Sequence, residues 1–63
     1  MGLYKIFIVE DHPIFRKGLV QLVNNEKNMK VCGESEEYVD ALNKIKKNKP
    51  DFIVVDISLK DSS

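Results

Sequence analysis

A short apolar run at residues 3–9 (LYKIFIV), stopped abruptly by Glu10 and Asp11, constrains the fold of this chain more than any other feature. Its β-branched and aromatic members, and a length too short for an ordinary helix, predict a buried strand. A second run of this kind, residues 51–57 (DFIVVDI), places Asp56 after four apolar residues. Strands apolar on both faces need cover on both, as in a parallel sheet with helices above and below.

The intervening sequence supplies those helices. Pro13 stands where a helix can begin without losing a needed N–H, and Ile14, Phe15, Leu19, Leu22 and Val23 fall on one helical face. Asn24, Asn25 and Asn28 punctuate its end, and residues 29–33 (MKVCG) read as a short second strand. Then Glu34, Glu36, Glu37 and Asp40 precede Lys44, Lys46, Lys47 and Lys49, while Tyr38, Ala41, Leu42 and Ile45 share a face. Acids before bases suit a helix dipole, and the ordinary reading of these charges is a solvated helix surface rather than a docking patch. Pro50 ends this helix. Gly18, inside the first one, marks either close packing on the sheet or a tolerated flaw of about 1 kcal/mol relative to Ala.

Strand, helix, strand, helix, strand is an α/β pattern with right-handed crossovers. If the strand order turns back once, to 2-1-3, the first and third strands become neighbours. Ligands in such sheets collect at the carboxyl ends of strands where the order switches, and both strands end in acids.

Sixty-three residues permit one small domain and exclude two. A chain this short buries only about 60% of the surface it exposes unfolded, so a complete core is marginal. Ten Lys or Arg balance ten Asp or Glu, which removes the net positive field of a non-specific nucleic-acid or anionic-membrane binder. No stretch approaches the roughly 18 apolar residues of a membrane span, and no long apolar segment opens the chain as a secretion signal does, so the cytoplasm is the expected compartment. The single cysteine, Cys32, has no internal disulfide partner, and no Cys/His cluster with zinc spacing is present. Cys32 reads as a small buried hydrophobe.

Glu10, Asp11 and Asp56 are therefore expected to converge on one rim. A charge at the end of an apolar strand calls for a partner or a metal ion. Oxygen ligands at this density suit Mg²⁺, which takes one or two carboxylates together with waters and a phosphate oxygen. An aspartate beside such an ion could act as a nucleophile toward a phosphoryl group, forming an acyl phosphate. Plainer readings stand beside this one. Glu10 and Asp11 equally suit a strand-to-helix junction where an acid caps the helix, and Asp56 could be a turn former. His12 reads as a surface or packing histidine rather than a ligand, and Asp51 and Asp61 read as solvated turn residues.

The strings KIFIVEDHPIFRKGLVQLV and KPDFIVVDISLKDSS, with VCGESEEYVDALNKI between them, resemble the receiver domain of bacterial two-component response regulators. The first string is especially similar to the branch whose receivers precede a LuxR-type helix-turn-helix domain, and the resemblance to the family spans essentially the whole chain. The resemblance implies a flavodoxin-like α/β fold and assigns Asp56 as the aspartate that accepts a phosphoryl group from a histidine kinase. Asp11 then matches the direct Mg²⁺ ligand, Glu10 its acidic neighbour acting through a water, and the backbone carbonyl of Ser58 the third protein ligand. Glu10 replaces the commoner Asp, and Leu59-Lys60 stands where many receivers have Met-Pro. These expectations make the chain a phosphoprotein and a signalling element rather than an enzyme.

The family fold has five strands in the order 2-1-3-4-5. Residues 1–63 accordingly correspond to the N-terminal half of a receiver. The switch Thr or Ser, the Lys that neutralises the phosphoryl group and any DNA-binding output domain have no counterpart in this chain. A three-stranded piece leaves its third strand as an open edge, and a homodimer through that strand, in the order 2-1-3-3'-1'-2', is the expected way to cover it. The alternative function is a non-catalytic interaction module acting by strand addition, with Asp56 idle. A metal-assisted phosphohydrolase would need a general acid, commonly an Asp two residues after the nucleophile, and Ser58 holds that position.

Overall fold

Five elements alternate along the chain: β1 (Tyr4–Glu10), α1 (Pro13–Asn24), β2 (Met29–Ser35), α2 (Tyr38–Asn48) and β3 (Phe52–Asp56). They are seen in a computed structural model that describes residues 3–56. The three strands form one parallel sheet in the order β2-β1-β3, the order expected if the strand sequence turns back once. Ile57, Ser58, Leu59, Lys60 and Asp61, which carry several of the expectations above, lie outside the described residues.

The strand bounds differ from the sequence reading. β1 runs Tyr4–Glu10 rather than 3–9, taking in the acid expected to stop it. β2 continues through Glu34 and Ser35, polar residues that still complete the ladder beside Ile8 and Val9. β3 starts one residue late because Asp51 is used as a clip. Its carboxylate accepts the Lys5 N–H at 2.7 Å, and its own N–H donates to the Lys5 carbonyl at 2.8 Å. Asp51 is thus exposed, as expected of a turn residue, yet it sets the register at which β3 joins β1.

The core is centred on β1. Ile6, Phe7, Ile8 and Val9 are buried together with Ala41. Phe7 and Val9 pack with Ala41, flanked by Cys32 and Ile45, so this side of the sheet is the one α2 covers. Ile6 and Ile8 alternate to the opposite side, where α1 rests on β1 and β2. Cys32 packs against the core but is only half-buried.

β2 slips by one residue against β1: Ile6 pairs with Val31, but Phe7 pairs with Gly33, leaving Cys32 between them. The Phe7 ring lies directly over Gly33. A Cβ built there would stand 2.6 and 2.9 Å from two ring carbons and 3.3 Å from Asn48 Nδ2. No ordinary side-chain carbon approaches so closely, so the buried ring and the glycine require one another.

α2 is finished at both ends by its neighbours. The Ser35 hydroxyl donates to Asp40 Oδ2 at 2.8 Å and accepts the Glu37 N–H at 3.3 Å. That hydroxyl, followed by Lys44 Nζ at 3.0 Å, holds the Asp40 carboxyl below its usual range. Lys46 and Lys47 occupy the last turn, as the dipole argument expects. Lys49 closes the helix in the left-handed region, with φ of 49°.

α1 is less well covered. Leu19, Val20 and Val23 are half-buried, while Ile14, Phe15 and Leu22 remain exposed although the sequence places them on the same face. The helix leans over β1 and β2, and β3 is left as an exposed edge. Gly18 has nothing within 4 Å of where a Cβ would sit, so close packing is not its role among the described residues. Gly18→Ala is expected to raise stability by up to about 1 kcal/mol through helix propensity alone, read as a higher urea midpoint at unchanged m-value.

Candidate phosphoacceptor site

The site is built from the ends of two adjacent strands. β1 and β3 pair residue for residue from Ile6 with Phe52 to Glu10 with Asp56. Paired residues in a parallel ladder share a face, so Glu10 and Asp56 stand side by side at the carboxyl edge. Asp11 follows immediately and lines a shallow cleft with Val9, Glu36, Tyr38, Val55 and Asp56. The structure therefore brings together the three acids that the sequence assigned to one rim.

Their environments differ. Glu10 is 1% exposed, whereas Asp11 is half-buried and Asp56 lies open to solvent. Glu10 Oε2 accepts the His12 backbone N–H at 2.8 Å and lies 2.9 Å from His12 Nδ1. The second oxygen, Oε1, is buried and receives no hydrogen bond from a nitrogen or hydroxyl of the described residues. The Asp56 carboxyl stands beside that of Glu10 in the ladder. Two adjacent carboxylates do not both ionise cheaply. The contact with Glu10, followed by the charge of Glu10, raises the Asp56 pKa. The same contact, helped by the His12 N–H, lowers Glu10 to about 2.

His12 belongs to this cluster, which spacing alone did not reveal. Its Nδ1 also lies 3.0 Å from Asp11 Oδ1, and its ring packs against Phe15 at a centroid distance of 5.4 Å. The position is explained by the helix start. His12, not Asp11, is the N-cap of α1, with Pro13 following it, and the capping residue forms no side-chain cap hydrogen bond. The helix-cap reading of the acidic pair therefore does not describe this junction. The imidazole turns back toward the strand end instead.

The residues suit Mg²⁺. Glu10 and Asp11 lie close enough to share an ion, with His12 beside them, and Asp56 pairs with Glu10 in the ladder; the carboxylate oxygens of the three acids are donors of the kind Mg²⁺ takes, and the buried Glu10 Oε1 has no hydrogen-bond partner among the described residues. Ser58, whose carbonyl the resemblance adds to this set, lies outside the described residues.

Residues 6–63 match the response regulator receiver domain. The chain belongs to the response regulator receiver family. Among curated relatives, the DNA-binding transcriptional activator DevR/DosR of Mycobacterium tuberculosis is 33% identical over 97% of the chain and 28% of its own length. The sensory transduction protein LytT of Bacillus anthracis is 34% identical over 97% of the chain and 25% of its own. A protein-glutamate methylesterase/protein-glutamine glutaminase of Pyrococcus horikoshii is 29% identical over 87% of the chain and 15% of its own. The chain thus spans little more than a quarter of these relatives, or less. No solved structure matches it. Among the described residues no helix of this receiver segment is long and apolar enough to cross a membrane.

Proposed function

We propose that this receiver segment accepts a phosphoryl group on Asp56 from a histidine kinase, with Mg²⁺ held by Asp11 and Asp56, by Glu10 through a water and by the Ser58 carbonyl. The observation that carries this reading is the pairing of Glu10 with Asp56, which sets the acceptor beside the acidic pair. An oxygen of the Asp56 carboxylate attacks the phosphorus of a phosphohistidine. The O–P bond forms as the P–N bond breaks, and the departing imidazole takes up a proton. The acidic residues would hold Mg²⁺, which when bound would supply positive charge to offset the repulsion between acceptor and phosphoryl group. Glu10, held by His12, keeps a fixed negative charge beside the acceptor.

The segment is the input half of a signalling protein and not itself an enzyme. Transcriptional activators and methylesterases both match it, so the output chemistry belongs to other parts of a longer polypeptide. For the activator-like branch that output is DNA binding, through a domain that these 63 residues do not include. A kinase-fed receiver works in the cytoplasm, where its phosphodonor is. Residues 1–63 correspond to the N-terminal half of the receiver domain.

Metal binding by titration calorimetry tests the site. Because Asp56 keeps its proton to higher pH than an ordinary carboxyl, Mg²⁺ must displace that proton. Affinity is therefore expected to rise with pH through the raised Asp56 pKa and to level off above it, with proton release visible as a buffer-dependent heat. Asp11→Ala is expected to weaken binding at least about tenfold, as loss of a carboxylate ligand does. A pH-independent affinity, or an unchanged one in Asp11→Ala, would favour the interaction-module reading.

The exposed β3 edge gives that second reading its own support. Phe52, Ile53, Val54 and Val55 are 54, 47, 37 and 42% exposed on a strand paired on one side only. We propose that two copies of the 63-residue chain join through β3, antiparallel about a two-fold axis, in the order 2-1-3-3'-1'-2'. In a longer polypeptide the next strand of the receiver takes this edge instead. Sedimentation equilibrium should return a dimer; a folded monomer at high concentration would exclude it.

A further inference from the structure

We propose that Arg16 is a positioning residue for the acidic rim, fixing the peptide between Glu10 and Asp11 and hence the direction in which Asp11 presents its carboxylate. The inference rests on the metal-site reading above. Arg16 Nη1 donates to the Glu10 carbonyl oxygen at 3.1 Å. That carbonyl sits at the end of β1, beyond the last paired residues of β1 and β2, Val9 and Ser35. A carbonyl at a buried strand end needs a donor, and α1 supplies it from its second turn.

The guanidinium is itself anchored. Nε donates to Glu34 Oε1 at 3.0 Å, and Nη1 also reaches Glu36 Oε1 at 3.5 Å, with the Arg16 side chain only 22% exposed. The end of β1, the end of β2 and the turn before α2 are thus tied to one planar group. The fork of donors in arginine holds such a fixed arrangement, which a single ammonium cannot. The peptide unit is also planar, so fixing the Glu10 oxygen fixes the Asp11 N–H and Cα. The contact that carries its effect on Asp11 is the hydrogen bond to the Glu10 carbonyl, through the backbone.

The test compares Arg16→Met with the paired variant Glu34→Gln, Glu36→Gln. The latter removes the ion pairs but leaves amide oxygens to hold the guanidinium on the Glu10 carbonyl. Two readouts are used: Mg²⁺ affinity, and the amide resonance of Asp11 without metal, which reports the peptide unit that Arg16 holds. Arg16→Met should weaken Mg²⁺ binding about tenfold, in the range seen for groups that orient metal ligands, and move the Asp11 resonance. The Gln pair should stay within about twofold of the parent. Unchanged affinity and resonance in Arg16→Met, or an equal loss in the Gln pair, would overturn the proposal.

If Arg16→Met does not fold, Arg16→Lys decides. It keeps the charge without the fork and should weaken Mg²⁺ several-fold and move Asp11; wild-type behaviour in both readouts would reject the role. If the parent chain takes up no Mg²⁺, the metal-site reading fails separately, and the Asp11 resonance alone determines whether Arg16 positions the peptide.

Discussion

Asp56→Asn is expected to abolish covalent phosphoryl uptake. Incubated with a small acyl phosphate and Mg²⁺, the parent chain should gain the mass of one phosphoryl group, and the Asn variant none. The substitution suits the question because it removes the anionic nucleophile with little change in size. An Asn amide can also donate to the Glu10 carboxylate that stands beside it in the ladder. The variant should therefore fold as the parent does, and near neutral pH it loses the repulsion between two adjacent acids. A folded Asn variant that still gained a phosphoryl group would move the acceptor to another residue and end the assignment of Asp56. Since the reaction passes through an oxygen that Asn lacks as a nucleophile, no partial rate is expected.

The largest effect on stability is expected at Gly33, away from the acidic rim. Gly33→Ala places a carbon 2.6 Å from the Phe7 ring, which is buried and cannot swing aside into solvent. Overpacking of this kind typically destabilises by about 1–3 kcal/mol. By the usual per-residue range, a domain of this size has only about 3–9 kcal/mol in total. Urea denaturation should show the midpoint fall accordingly, and Gly33→Val should fall further. The companion Phe7→Leu is the control. Alone it loses buried area, but in the Gly33→Ala background it removes the clashing ring carbons, so the combined change should be smaller than the sum. Simple additivity would mean that the glycine serves the backbone and not the ring.

Much of the fold was legible because the signals are local and agree with one another. The runs at 3–9 and 51–57 gave β1 and β3, Pro13 and Pro50 bracketed the helices, and a single turn-back in the alternating pattern gave the sheet order. The site was legible for the same reason: once β1 and β3 are neighbours, Glu10 and Asp56 meet. What escaped depends on contacts between distant residues. Nothing in MKVCG announces a slipped register or the Phe7 ring over Gly33. Ser35 falls outside the strand predicted over 29–33, yet it is a buried strand end whose hydroxyl serves α2. His12 looked like a packing residue because its partners, Glu10 and Asp11, are chain neighbours whose directions are set only by the turn between β1 and α1. Arg16 is one of ten cations in a balanced sequence, and only the fold shows that it reaches across to the end of β1.

The slipped register at Cys32 has a consequence for how polar residues are shared between the helices. Along a strand, neighbours alternate sides, so one extra residue inverts the assignment of everything after it. Because Cys32 is passed over, Glu34 pairs with Ile8 and turns toward α1, where Arg16 meets it. Ser35 pairs with Val9 and turns toward α2, where it meets Asp40. A regular ladder, with Cys32 paired to Phe7, would exchange the two, setting Glu34 beside Val9 and Ser35 beside Glu10. The carboxylate would be delivered to the helix that already carries Asp40 and the hydroxyl to the helix that carries the arginine, and with no change of sequence both helices would lose the partner that fastens them to the sheet.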